Sequence, residues 1–217
     1  MSGSFAGSAQ LAGTFRVGDG SITNTQISAS ADIARSKLDQ DAAQEYVVPW
    51  STLRVHDAIE TLLPQPAAND DLGWPATQTM GTVTPFIETA DLKAAGATSV
   101  YARFQFAMPP EYDSGETITL RLRGGMNTTV ADTTATIDAV VYKADEDGGA
   151  GSDICATAAQ SINNLTAADK DFTITPTGLV AGDVLDVRIE VAINDGATAT
   201  AVIGRCYKAS FLLDIRG

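Results

Sequence analysis

Residues 180–193 read VAGDVLDVRIEVAI. A Gly-Asp turn opens into a run that places Leu185, Val187, Ile189, Val191 and Ile193 on one side and Asp186, Arg188 and Glu190 on the other. Alternation with a period of two over this length predicts a strand of an antiparallel sheet, one face on a core and one in water. The rest of the C-terminal two thirds repeats the pattern. Ser99 to Ala107 sets Val100, Ala102, Phe104 and Phe106 inward against Tyr101, Arg103 and Gln105, and stops at Pro109-Pro110. Glu116 to Arg123 puts Ile118, Leu120 and Leu122 inward, and Thr134 to Ala144 does so with Ile137, Ala139 and Val141. Further strands are expected over Thr82–Glu88, Ile154–Ala159, Phe172–Thr175 and Ala201–Ile215. The last sets Ala209, Phe211, Leu213 and Ile215 against Lys208, Ser210, Leu212 and Asp214.

About eight strands separated by Gly, Asp and Pro turns, with no helical interlude, predict a mainly β antiparallel β-sandwich over 81–217, with a jelly roll as the expected topology. An immunoglobulin-like sandwich is the other candidate, but the Cys and Trp pattern of that fold is missing.

Residues 1–80 read differently, as an N-terminal arm and helical attachment or trimerisation region. Met1 to Gly20 is rich in Gly, Ser and Ala with spaced Phe5, Leu11, Phe15 and Val17, too little apolar surface to fold alone. Ser30 can cap a short helix, Ala31 to Leu38, with Ile33 and Leu38 on one side. Ser51 can cap a second, whose Leu53, Val55, Ile59, Leu62 and Leu63 form a stripe at helical spacing. Gln65 to Gln78 is a loop by composition, and Trp74 before Pro75 is expected to tuck under the first strand.

Composition excludes whole classes of function. The formal net charge is -13 with 14 basic side chains among 217 residues. Nucleic acid and anionic membranes both require a positive patch, so neither is an expected partner. The N-terminus lacks the basic and apolar regions of a secretory signal, so synthesis in a host cytoplasm is expected. Cys155 and Cys206 have no zinc spacing; Cys206, in a strand pattern, is expected to be a buried thiol, with a Cys155–Cys206 disulfide as the alternative.

Sites for chemistry are sparse, and neither a cofactor nor a metal is expected. His56 is the single histidine and has no sequence partners for a triad, so a structural role is expected. Asp145, Glu146 and Asp147 before Gly148-Gly149, with Asp153 beyond, offer oxygen ligands around a turn, but the closing Glu of a calcium loop is missing. A solvated acidic hairpin is the expected reading there, and Asp70-Asp71 is read the same way. No fingerprint of a hydrolase, nucleotide-binding protein or metalloprotease occurs.

Two stretches carry a resemblance. Residues 22–38, in the order ITN.QIS.SA.IA.SKL, resemble a short segment of fibre and appendage proteins of tailed bacteriophages. FAMPPEYDSGETITLRLR (106–123), FTITPTGL.AGD.LDVRI (172–189) and FLLDIR (211–216) resemble the jelly-roll structural proteins of such phages, namely capsid decorations, head fibres and fibre tips. The resemblance implies a non-enzymatic virion protein, a capsid decoration that attaches through its N-terminal region and displays a jelly roll. Its implied partners are the major capsid protein or a neighbouring virion protein and two further copies in a homotrimer. The apolar residues Phe5, Leu11, Phe15, Ile22, Ile27, Ile33, Leu38 and Leu53 are the expected attachment and trimer contacts. The alternative is a receptor-binding tip or carbohydrate-binding module that recognises a host surface glycan, with Tyr112 and Trp74 as the loop aromatics available for it. A third class, a glycan hydrolase, finds no selected pair of carboxylates.

Overall fold

A computed structural model describes residues 43–144, 148–149 and 151–215. Nine strands are formed among them: β1 (Ala43–Val47), β2 (Ile87–Glu88), β3 (Gly96–Ala107), β4 (Ile118–Asn127), β5 (Thr134–Lys143), β6 (Gln160–Ser161), β7 (Ala168–Ile174), β8 (Val184–Asp195) and β9 (Ile203–Asp214). One sheet has the order β1-β9-β4-β7, with β2 also paired to β9; the other runs β3-β8-β5-β6. From β2 onward the chain passes from one sheet to the other at nearly every connection, and every pairing is antiparallel. This winding of two four-membered sets is a jelly roll, as the sequence predicts.

Strand β8 lies between β3 and β5, and its inward row is apolar from Leu185 to Ile193 before ending on the buried Asp195. Ile189 pairs with Ala102 of β3 and Ala139 of β5, and Val187 with Phe104 and Val141. All of these are buried, as are Leu185, Val191 and Ile193. Across the core they meet Ile118, Leu120 and Leu122 of β4, Phe172 of β7 and Phe211 of β9. The Phe211 ring is stacked on Phe106 at 4.1 Å between centroids and meets Phe104 edge-on at 6.4 Å. Each such side chain contributes about 1.5–3 kcal/mol on burial.

Between Arg123 and Gly124 the β4–β9 register slips, leaving Tyr207 as an extra residue. The bulge lets Cys206 and Ala209, three positions apart, both face the core. Next to it the backbone runs tight against the 162–167 segment. A Cβ on Gly124 would sit 2.8 Å from Ile162 Cγ2, and one on Gly125 2.8 Å from the Ala167 backbone. Both cysteines are free.

Three expectations are corrected. The first strand shrinks to Ile87–Glu88, and the piece expected over 154–159 makes only the bridge Cys155–Ile174 before β6 forms at Gln160–Ser161. The helix expected after Ser51 is replaced by a single 3-10 turn, Trp50–Thr52. Beyond it Arg54 exchanges both backbone hydrogen bonds with Arg103, N to O at 2.8 and 2.9 Å. An extended backbone sends Leu53 and Val55 together into the core, and Ile59 and Leu62 are left exposed. Period two has won over period 3.6 here, because the free edge of β3 offers hydrogen bonds that a short helix could not replace.

The sandwich therefore begins well before residue 81. β1 pairs with β9, and Val48, Leu53, Leu63 and Leu72 belong to the common core. Leu53, expected as an attachment contact, is 1% exposed and cannot be one while the fold is intact. Phe5, Leu11, Phe15, Ile22, Ile27, Ile33 and Leu38 lie outside the described residues, as do Asp145, Glu146 and Asp147. Among the described residues no helix is long and apolar enough to cross a membrane.

Candidate functional site

The outward face of β3, β8 and β5 carries charged and aromatic side chains in adjacent rows. Register fixes its rows. Tyr101, Glu190 and Asp138 lie side by side across the three strands, then Arg103, Arg188 and Val140, then Gln105, Asp186 and Tyr142. Along the β3 edge the 54–73 segment rises as a wall, tied down by Arg54 to Arg103, by Leu72 N–H to Tyr101 O at 2.7 Å and by Tyr101 N–H to Asp70 O at 2.7 Å. From this wall His56 packs over Tyr101, with ring centroids 4.6 Å apart. Wall and sheet enclose a cleft of about 260 Å³ lined by His56, Arg103, Tyr142, Asp186 and Arg188.

Its polar groups are held stiffly. Arg103 donates through Nε to Asp186 Oδ1 at 2.7 Å and through Nη2 to Asp186 Oδ2. This two-point contact raises the Arg103 pKa against the opposing pull of burial. One row away Ser99 Oγ donates to Glu190 Oε1 at 2.6 Å. The Arg188 guanidinium lies over the Tyr101 ring, 4.9 Å from its centroid. Burial pushes the Asp138 carboxyl up, helped by the charges of Glu190 and Asp153 and opposed by the Ala139 N–H it accepts. Asp153 Oδ1 accepts from Val141 N–H and Cys155 N–H, so this acid ties a loop to β5.

His56 is held between acids: Nδ1 is 3.4 Å from Asp71 Oδ1 and Nε2 is 3.8 Å from Asp70 Oδ2. His56, Asp57 and Asp71 are the described residues whose ligand atoms approach closely enough to share a cation, within 4.8 Å of one another. A larger hollow of about 410 Å³ lies within the 78–85 loop, but it is lined by Gln78, Met80, Gly81, Thr82, Val83, Thr84 and Pro85 and offers no ionisable group.

The loop aromatics named from the sequence, Tyr112 and Trp74, do not line this cleft. Tyr112 is buried in the core and donates its hydroxyl to Glu116 O at 3.0 Å. Trp74 is half-buried and meets Trp50 edge-on at 6.5 Å. The rings in and beside the cleft are those of His56, Tyr101 and Tyr142. Outward Tyr101 and Arg103 were legible in the alternation; Tyr142 sits in an equally clean one, the outward end of Ile137, Ala139 and Val141.

No family model and no curated protein matches the chain. Among solved structures, the xylan-binding module CBM15 aligns over 81% of this chain and 100% of its own, with 14% identity and a TM-score of 0.44. The CBM22-1 xylan-binding domain of Paenibacillus barcinonensis Xyn10C covers 68% and 82%, with 11% identity and a TM-score of 0.39. The enzymatically active domain of bacteriophage CBA120 tailspike protein 4 covers 68% of this chain and 18% of that one, with 10% identity and a TM-score of 0.35. At such scores the likeness carries no argument, and the fold rests on strand order and register.

Proposed function

We propose that this jelly roll is a non-enzymatic carbohydrate-binding domain whose ligand lies in the cleft over β3, β8 and β5. The observation that carries the reading is the Arg103–Asp186 pair, set as a fixed donor and acceptor beside the rings of His56 and Tyr142. A sugar presents alternating hydroxyls, each both donor and acceptor, around an apolar ring face; it matches a rigid donor–acceptor fork beside an aromatic surface. The sheet supplies preorganisation, because the backbone under the fork is hydrogen-bonded on both sides. A purely architectural role leaves the cleft without a use.

The setting we propose is a tailed-phage particle, in keeping with the sequence resemblance, to which the N-terminal region attaches the chain as a homotrimer so that the sandwich meets a glycan of the host surface. Affinity electrophoresis through gels containing a panel of plant and bacterial polysaccharides tests the binding itself. Retardation by at least one polysaccharide is expected, lost in Tyr142→Ala and Arg103→Ala and kept in Lys170→Ala, on the opposite sheet. Migration unaffected by every polysaccharide, or retardation that survives Tyr142→Ala and Arg103→Ala, would refute it.

A further inference from the structure

Within the cleft one cation lacks a hydrogen-bonded counter-charge. Arg103 and Arg188 face each other directly across β3 and β8, an arrangement that repels unless each finds a counter-charge. Arg103 has one in Asp186. Arg188 has only a looser ion pair, with Glu190, and its buried Nε has no hydrogen-bond partner among the described residues. Glu190 Oε2 is 3.8 Å from Arg188 Nη2, an ion pair beyond hydrogen-bond length, and the other oxygen of Glu190 is taken by Ser99. The guanidinium is nevertheless held in place by the Tyr101 ring, and its side chain keeps 40% of its surface open towards the cleft. Asp70 and Asp71 on the wall are turned to His56.

A positioned guanidinium with spare donors beside a neutralised Arg–Asp pair selects for an anion of planar fork shape. We propose that the saccharide bound in this cleft is acidic, a sugar whose ring carries a carboxylate, and that Arg188 takes that carboxylate while the Arg103–Asp186 pair and the rings take the rest of the unit. This rests on the carbohydrate reading above and adds the class of sugar. Charge-assisted hydrogen bonds of this kind correspond to roughly tenfold or more in affinity over a neutral counterpart.

The experiment uses the full chain on an array of acidic oligosaccharides (galacturonate, mannuronate, guluronate, glucuronoxylan and sialylated members), each beside its carboxyl-reduced form and with sulfated oligosaccharides alongside, at about 0.15 M salt so that the overall negative charge of the protein is screened. At least one acidic member should bind roughly tenfold tighter than its reduced form. In Arg188→Gln the ratio between the two forms should fall to near one, and Arg188→Lys should restore it in part, whatever happens to absolute affinity. Binding of neutral members with no preference for any carboxylated form overturns the acidic-sugar proposal and leaves the carbohydrate reading standing. So does equal preference for sulfated and carboxylated members, or a ratio untouched by Arg188→Gln. Binding to no member overturns the acidic-sugar proposal, and the polysaccharide gels then decide whether the carbohydrate reading stands.

Discussion

Leu53 and Leu62 belong to one apolar stripe in the sequence, yet they should behave oppositely when shortened. Leu53 is 1% exposed and packed in the common core, whereas Leu62 is 65% exposed. Leu53→Ala removes a buried isobutyl group and leaves a cavity, a change that costs about 2–5 kcal/mol. For a domain of this length that corresponds to a fall in Tm of roughly 5–20 °C. Leu62→Ala should cost under about 0.5 kcal/mol. The same reasoning applies to truncation. A chain starting at Gly81 lacks the buried side chains of Val48, Leu53, Leu63 and Leu72, together about 6–12 kcal/mol, comparable to the whole stability of a domain. Urea melts followed by tryptophan fluorescence and circular dichroism measure the point variants, and solubility with one-dimensional NMR measures the truncation. Equal, small losses for the two leucines, or a folded and cooperative 81–217 fragment, would show that the 43–80 segment is an appendage and that its place in the core is wrong.

Further outcomes follow from buried ionisable groups. Burial pushes the Cys206 thiol up to about 12 and raises that of half-buried Cys155 too; iodoacetamide near pH 8 should modify Cys155 slowly and Cys206 only once the chain unfolds, as mass spectrometry of the labelled peptides will show. Asp195 has no exposed surface, and although burial opposes its charge, hydrogen bonds from Thr198 Oγ and the Ala94 and Asp132 N–H groups hold its carboxyl down at about 2 against an ordinary 3.8. Its contribution is therefore complete above about pH 4 and lost as the pH falls towards 2, so Asp195→Asn should lower Tm most near neutrality and least in acid. Asp138, whose pKa is raised, has the opposite sign: Asp138→Asn should raise Tm near neutrality, with the gain vanishing as the pH drops and Asp138 itself becomes protonated.

Much of the architecture was legible because its signal is local. The alternation in 185–193 holds residue by residue, and so do the inward sets of β3, β4 and β5, apart from a half-buried Phe106. The outward Ser210 of β9 is as expected on the outer face, yet it is buried, since Glu45 of β1 covers it and accepts its hydroxyl at 2.7 Å. That covering strand comes from a distant part of the chain, which alternation does not report. Residues 51–63 were misread for a related reason: an apolar stripe with Leu53, Val55 and Leu63 in it fits two periods, and the choice was made by the free edge of β3, about fifty residues further on. The cleft was hidden most completely. Arg103 and Asp186 read only as outward alternates on two separate strands, and only register sets Arg103 against Asp186, 83 positions away. Outward Arg and Asp are too common for composition to mark such a pair.

The central claim is that a saccharide lies on the outward face of β3, β8 and β5. Two-dimensional amide NMR of the isotope-labelled full chain, titrated with whichever oligosaccharide the array selects, tests this most directly. The account predicts that shift changes concentrate at 99–105, 138–142, 186–190 and 54–57. Changes centred instead on the 78–85 loop, or on the opposite face around Arg121, Arg123, Asp169 and Asp171, would contradict it.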